Sequence, residues 1–155
     1  MLDDISLKIL KILQRKARIP NVEVARQVDM APSAVLERIR KLEQKGFIDG
    51  YEVRLNPDKF NRNLVAFITI VTNTREAVML TGKQLTSISE IQEVHHITGE
   101  DGFLVKVRVS DVAELGTLIQ DKILKIAGVE KTHTAIAMST FKETARIQID
   151  TPNIV

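Results

Sequence analysis

Residues 21–46 read NVEVARQVDMAPSAVLERIRKLEQKG, and the reading of this stretch decides the first half of the fold. Val22, Val24, Ala25 and Val28 recur at the spacing of a short helix, with Asn21 available as its cap. Asp29, Met30, Ala31 and Pro32 then read as a tight turn, with Pro32 at the first position of the next helix, where its missing N–H is not needed. That helix carries Val35, Ile39 and Leu42 on one face and stops at Gly46, which can take the left-handed conformation that ends helices. Two helices joined by a turn of about four residues fit a helix-turn-helix. Ala25 is small enough to let the following helix cross closely. Opposite the buried stripe of that helix lie Ser33, Ala34, Glu37, Arg38 and Lys41, with Arg40 nearer the flank, a polar and basic face at helical spacing.

Upstream, Ile5, Ile9, Ile12 and Leu13 form the stripe of an amphipathic helix over 3–16, with Asp3 or Asp4 as its cap and Pro20 beyond its end. Downstream, Ile48, Tyr51, Val53 and Leu55 alternate before the Asn56, Pro57 break, which predicts a strand and linker over 50–63. The remainder reads as strand 64–72, helix 76–88, strand 91–98, strand 103–109, helix 112–124 and strand 129–138. This βαββαβ order predicts an α+β, ferredoxin-like sheet with two helices on one face. The expected organisation is therefore a three-helix domain over 1–49, the linker over 50–63 and the ferredoxin-like domain over 64–155. In the first strand Val65, Phe67, Thr69 and Val71 alternate with Leu64, Ala66, Ile68 and Ile70, so both faces are apolar. The face without helices is expected to be buried by another subunit.

The chain has 155 residues, 44% of them hydrophobic, with no Cys. A disulfide framework, a thiol nucleophile and a Cys-ligated metal site are excluded. Acids at Asp3 and Asp4 replace the bases of a signal peptide, and the longest apolar run, 64–68, is far below the roughly 18 residues that span a bilayer. A cytoplasmic protein without a membrane partner is expected. The net charge of +2 conceals an asymmetry. Residues 1–60 hold 12 Lys+Arg and 9 Asp+Glu, net +3, whereas 61–155 hold 10 and 11, net −1. Lys8, Lys11, Arg15, Lys16 and Arg18 form a run without an acid, which fits either a solvated helix face or a face for nucleic acid.

No GxSxG elbow, phosphate loop or dinucleotide turn occurs, and the histidines are His95, His96 and His133. His95 and His96 are adjacent on a strand and point to opposite faces, so they cannot share a metal. No cofactor, metal site or catalytic residue is expected. The loop Thr98, Gly99, Glu100, Asp101, Gly102, expected between the two central strands, is the exception. Its glycines allow a close backbone approach, and its hydroxyl, carboxylates and N–H groups suit a zwitterionic ligand. An acidic hairpin without a ligand fits the same residues. In the ligand reading a neighbouring subunit completes the pocket around the last strand, where Thr132 and Thr134 share a face.

These residues resemble a known family, the leucine-responsive/asparagine-responsive, or feast/famine, transcription regulators. The resemblance covers nearly the whole chain. It is carried by LDDISLKIL at 2–10, by NVEVARQVDMAPSAVLERIRKLEQKGFIDGYEVRLNP at 21–57, by TGEDGFLVKV at 98–107 and by GVEKTHTAIAMS at 128–139. It implies a DNA-binding helix-turn-helix joined to a ferredoxin-like domain that binds an amino acid, dimers formed through the regulatory sheets, and octamers of four dimers. Three departures stand out: Ser6 where the family usually has Asp, Ala31 where it usually has a capping Ser, and Asp101, Gly102 where it tends to have an aromatic residue then Asp.

The combined expectation is a nucleoid-associated, sequence-specific transcription regulator and not an enzyme. A dimer would present two third helices to successive major grooves of double-stranded DNA. Ser33, Ala34, Glu37, Arg38, Arg40 and Lys41 would face the DNA, and Thr98, Gly99, Glu100, Asp101, Gly102, Thr132 and Thr134 the free amino-acid effector. Two alternatives remain open: an architectural DNA-binding protein without an effector, and a metabolite-binding module or small enzyme.

Overall fold

A computed structural model describes residues 2–73, 77–99 and 102–149. The described chain divides into two compact units, residues 2–54 with 143–149, and residues 55–142.

The first unit is the three-helix domain: α1 (Asp4–Arg15), α2 (Asn21–Val28) and α3 (Pro32–Gln44). Asp3 caps α1, its carboxylate accepting the Ser6 N–H at 2.8 Å. At α2 the expected cap is displaced by one residue: Pro20 occupies the cap position and Asn21 is already helical. Proline holds the extended cap conformation by itself, and its carbonyl accepts the Val24 N–H at 3.1 Å. Asp29 closes α2 in the left-handed conformation (φ 55°), which a short polar side chain tolerates, and the Met30 N–H returns to the Ala25 carbonyl at 3.0 Å. Ala31 caps α3 without a side-chain bond, as its missing hydroxyl implies. Ile9, Leu13, Val24, Ala25, Val28, Val35, Ile39 and Leu42 form the core of this unit.

The alternation over 48–55 does not produce a strand. Tyr51, Val53 and Leu55 are exposed, and no strand pairs with 48–63 among the described residues. A strand needs a neighbour to satisfy its N–H and C=O groups, and the described residues offer none here. Tyr51 is instead tied to α3, its hydroxyl donating to Glu43 at 2.8 Å. A single 3-10 turn (Pro57–Phe60) follows, opened by the Asn56 side chain.

The second unit contains β1 (Leu64–Thr72), α4 (Ala77–Thr86), β2 (Ile91–His96), β3 (Phe103–Val109), α5 (Val112–Thr117) and β4 (Val129–Ile136). The start of α4 expected at Glu76 lies outside the described residues. All neighbouring strands are antiparallel, in the order β2-β3-β1-β4. The loop after β2 therefore joins an edge strand to a central one, which corrects the expectation of two central strands. Ala66, Ile68 and Ile70 of β1 and Phe103, Val105, Val107 and Val109 of β3 share one buried face with Leu85, Leu115, Leu118 and Ile123. Leu118–Ile123 continues α5 as a π-turn, with the Leu124 N–H on the Ile119 carbonyl at 2.9 Å. The wider turn brings Leu118 and Ile123, five residues apart, onto the same core.

The opposite sheet face places Val65, Phe67, Thr69 and Val71 beside Leu104, Lys106 and Arg108 on one side and Lys131, His133 and Ala135 on the other. Its centre is apolar and its flanks are charged. Phe67 is 40% exposed there, whereas Val65 and Val71 are already buried.

The segment 143–149 joins the first unit although it follows β4. The Ile147 N–H donates to Gln14 Oε1 and the Ile147 carbonyl accepts from Gln14 Nε2, both at 2.8 Å. Arg146 reaches the Arg15 carbonyl at 3.4 Å.

Candidate nucleic-acid interface and effector loop

On α3, Ser33, Glu37, Arg40 and Lys41 are exposed and Ala34 is half-buried. Lys41 Nζ lies 2.6 Å from Glu37 Oε1, one helical turn away, and this pairing lowers the Glu37 carboxyl below its ordinary value. Arg40 has no ion or hydrogen-bond partner among the described residues. Lys8, Lys11, Arg15, Lys16 and Arg18 are likewise exposed.

Arg38 differs from the expectation. It follows Val35 by three residues and precedes Leu42 by four, so it flanks the buried stripe instead of standing opposite it. Its Nη1 lies 2.6 Å from Asp3 Oδ2 and 3.2 Å from Ser6 Oγ. The Asp3 carboxyl is held down to about 2 by the Ser6 hydroxyl and amide, then by the Arg38 guanidinium. The sequence does not mark Asp3 or Ser6 as a partner of α3, because no local spacing connects residues more than thirty positions apart.

In the second unit, Thr98 and Gly99 are exposed, and Gly99 has a φ of 112°, a conformation that side chains disfavour. Glu100 and Asp101 lie outside the described residues. Gly102 is buried; its N–H donates to the Ile70 carbonyl at 3.0 Å and its carbonyl accepts the Ile97 N–H at 3.2 Å. A Cβ there would meet Thr72 Oγ1 at 2.8 Å, so the loop end is seated against β1. Thr132 and Thr134 stand opposite Ile70 and Ile68, on the helix-bearing side of the edge strand β4, the first half-buried and the second exposed. Gly102 and Thr132 thus flank Ile70 from its two sides.

Sequence reasoning missed a polar cleft of about 340 Å³ lined by Arg62, Ser89, Glu90, Gln92 and Arg108. Its groups bind one another or adjoining residues: Arg62 Nη1 lies 2.6 Å from both Glu114 oxygens, Arg108 Nε donates to Gln92, and Lys122 reaches Glu90 at 2.5 Å. Groups of three or more His, Asp or Glu able to hold a metal are absent among the described residues. No helix among them is long and apolar enough to cross a membrane.

Comparison with known proteins agrees with both units. The family profile described as Lrp/AsnC ligand binding domain matches residues 65–147, and that of a winged helix-turn-helix DNA-binding domain matches residues 2–49. The leucine-responsive regulatory protein of Escherichia coli K12 is 36% identical over 152 residues, covering 97% of this chain and 93% of its own. A transcriptional regulator of Neisseria meningitidis, solved in complex with L-Met, superposes with a TM-score of 0.90 at 27% identity, covering 96% of this chain and 97% of its own. The leucine response regulatory protein of Mycobacterium tuberculosis gives a TM-score of 0.80 at 30% identity, with coverage of 92% and 96%. A three-helix reading head followed by a β2-β3-β1-β4 sheet, matched along nearly its whole length, places this chain in the Lrp/AsnC family of transcription regulators, which join a helix-turn-helix DNA-binding domain to a ligand-binding domain.

Proposed function

We propose that this protein binds operator DNA through the exposed face of α3 and that a free amino acid, taken up at the loop 98–102, changes that binding. The observation that carries the reading is the pairing of a solvent-facing basic helix with an intact helix-turn-helix core. Ser33, Ala34, Glu37, Arg40 and Lys41 form the DNA face. Lys41 exchanges its Glu37 partner for a phosphate or base edge, and Arg40 contacts the phosphate backbone. The exposed bases of α1 add to the electrostatic attraction.

At the loop, the N–H groups around Gly99 donate to the ligand carboxylate, while Glu100 or Asp101 pairs with its ammonium, each a charge-assisted bond. Thr132 and Thr134 line the side-chain end of the pocket. The relative solved with L-Met supports an amino acid as the ligand class. The apolar centre of the uncovered sheet face supports self-association into a homodimer, with octamers of four dimers as the higher assembly. Ligand binding shifts DNA affinity only by as much as the ligand prefers one assembly state over the other. In this reading the protein is a cytoplasmic, nucleoid-associated regulator and performs no catalysis.

The test is selection of binding sites from a random DNA pool by the full chain, followed by anisotropy titration of the selected sequence with each of the common amino acids. A recurrent, roughly palindromic site whose affinity responds to at least one amino acid supports the reading. Recovery of no preferred sequence supports an architectural role instead.

A further inference from the structure

Arg38 lies on the reading helix, yet its side chain is half as exposed as that of Lys41, at 31% against 61%. Two groups from the start of α1 hold it. Asp3 uses one carboxylate oxygen to cap α1 through the Ser6 N–H, at 2.8 Å, and the other to accept Arg38 Nη1, at 2.6 Å. The Ser6 hydroxyl lies 3.2 Å from the same nitrogen, and Ser6 is itself buried. One carboxylate therefore fixes the N-terminus of α1 and the middle of α3 at once. A guanidinium suits this position because its planar fork can serve a carboxylate and a neighbouring hydroxyl together. Were Arg38 to leave for a DNA phosphate, the Asp3 charge would stay behind unpaired beside a polyanion.

We propose that Arg38 is a positioning residue: it clasps α3 to the capped end of α1 through Asp3 and Ser6, and so sets the angle at which the reading helix enters the groove, without itself contacting DNA. The proposal rests on the reading of α3 as the DNA-facing helix.

The two roles predict opposite signs when Asp3 is neutralised. Asp3→Asn keeps a good N-cap, since Asn caps helices as well as Asp, but removes the charge that holds Arg38. Operator affinity and its dependence on salt are measured by anisotropy for the full chain and for Asp3→Asn, Arg38→Gln and the double variant. Far-ultraviolet circular dichroism at the assay temperature confirms that each is folded. A clasp predicts that each single variant loses about two- to tenfold in affinity, that the double variant loses no more than the worse single one, and that the salt slope is unchanged throughout. The proposal is overturned if Asp3→Asn binds DNA as well as or better than the parent, or if Arg38→Gln lowers the salt slope by about one phosphate's worth.

Arg38→Lys supplies the check on local packing, because it keeps the charge but loses the fork. It should bind between the parent and Arg38→Gln, and parental affinity with a parental salt slope would also overturn the fork-based clasp. Lys41→Ala serves as the control for the underlying reading. If it leaves both affinity and salt slope untouched, α3 is not the DNA-facing helix, and that reading fails separately from the clasp.

Discussion

Replacing Gly102 by Ala tests how the loop is seated. The added Cβ would lie 2.8 Å from Thr72 Oγ1, 3.0 Å from Thr72 Cγ2 and 3.3 Å from the Ile70 carbonyl oxygen. A Cβ essentially never lies within 3.0 Å of another heavy atom, so the Thr72 side chain must give way, whereas the carbonyl contact is only tight. Thr72 is β-branched and stiff at χ1, so it does not yield easily. Overpacking of this kind costs roughly 1–3 kcal/mol. For a chain of this size each kcal/mol lowers Tm by roughly 2–4 °C, so Gly102→Ala should melt roughly 2–12 °C below the parent. Thr72→Ala removes both of the closer atoms and leaves only the carbonyl, which a shift of a few tenths of an ångström relieves. Most of the loss should therefore return in the Gly102→Ala/Thr72→Ala double variant.

Gly99→Ala provides the contrast. Its Cβ meets nothing, but a φ of 112° strains any side chain, at a cost of roughly 1–3 kcal/mol that Thr72→Ala should not recover. Thermal and urea melts followed by circular dichroism measure all of these. Parental stability in Gly102→Ala, or a loss undiminished by Thr72→Ala, would refute the seating of the loop against β1.

Three further outcomes are expected. Arg40→Ala and Lys41→Ala should each weaken operator binding, Lys41→Ala by roughly 1–3 kcal/mol if it reads a base, while the melting temperature stays within a degree or so of the parent, because both side chains are exposed; titration alongside thermal melting checks this. Acid should destabilise the fold through Asp3 and through Glu114, which the Ser110 hydroxyl and amide, then the Arg62 guanidinium, also hold down to about 2. Both folded values lie below the unfolded values of about 4 to 4.5, so their stabilisation is complete above about pH 5 and is lost as pH falls towards 2; urea midpoints across that range should drop less in Ser110→Ala than in the parent. Phe67→Lys should dissociate the protein into smaller species by light scattering, since it places a charge at the apolar centre of the uncovered sheet face, and unchanged size would move the interface elsewhere.

The parts of the fold legible in the sequence are those with local causes. Pro32 at the start of α3, Gly46 after its end and the Ile5, Ile9, Leu13 stripe each act within a turn or two, and each stands where it was expected. The βαββαβ order of elements followed from the alternation of strands and helices, whereas the position of the 98–102 loop between an edge strand and a central one did not. What escaped was set by distant partners or by subtle backbone choices. The apolar alternation at 48–55 lacks a neighbouring strand among the described residues. The π-turn at Leu118–Ile123 answers to where the core lies, not to any one residue. Helical spacing places Arg38 on the polar face of α3, yet the same spacing sets it three residues after Val35 and four before Leu42, at the edge of the buried stripe, and only its partners Asp3 and Ser6 are hidden from it. The bracket of Gln14 on Ile147 spans 133 positions and leaves no trace in local spacing.

The most direct measurement of the central claim is the affinity of one selected operator for the full chain, with and without a saturating amino acid, in the parent and in Gly99→Asp. That substitution sets bulk and negative charge where the ligand carboxylate is proposed to sit, and leaves α3 unchanged. The account predicts that the amino acid shifts operator affinity in the parent and has no effect in Gly99→Asp, whose ligand-free affinity matches the parent's. An equal shift in both proteins would contradict it by placing the ligand away from the loop.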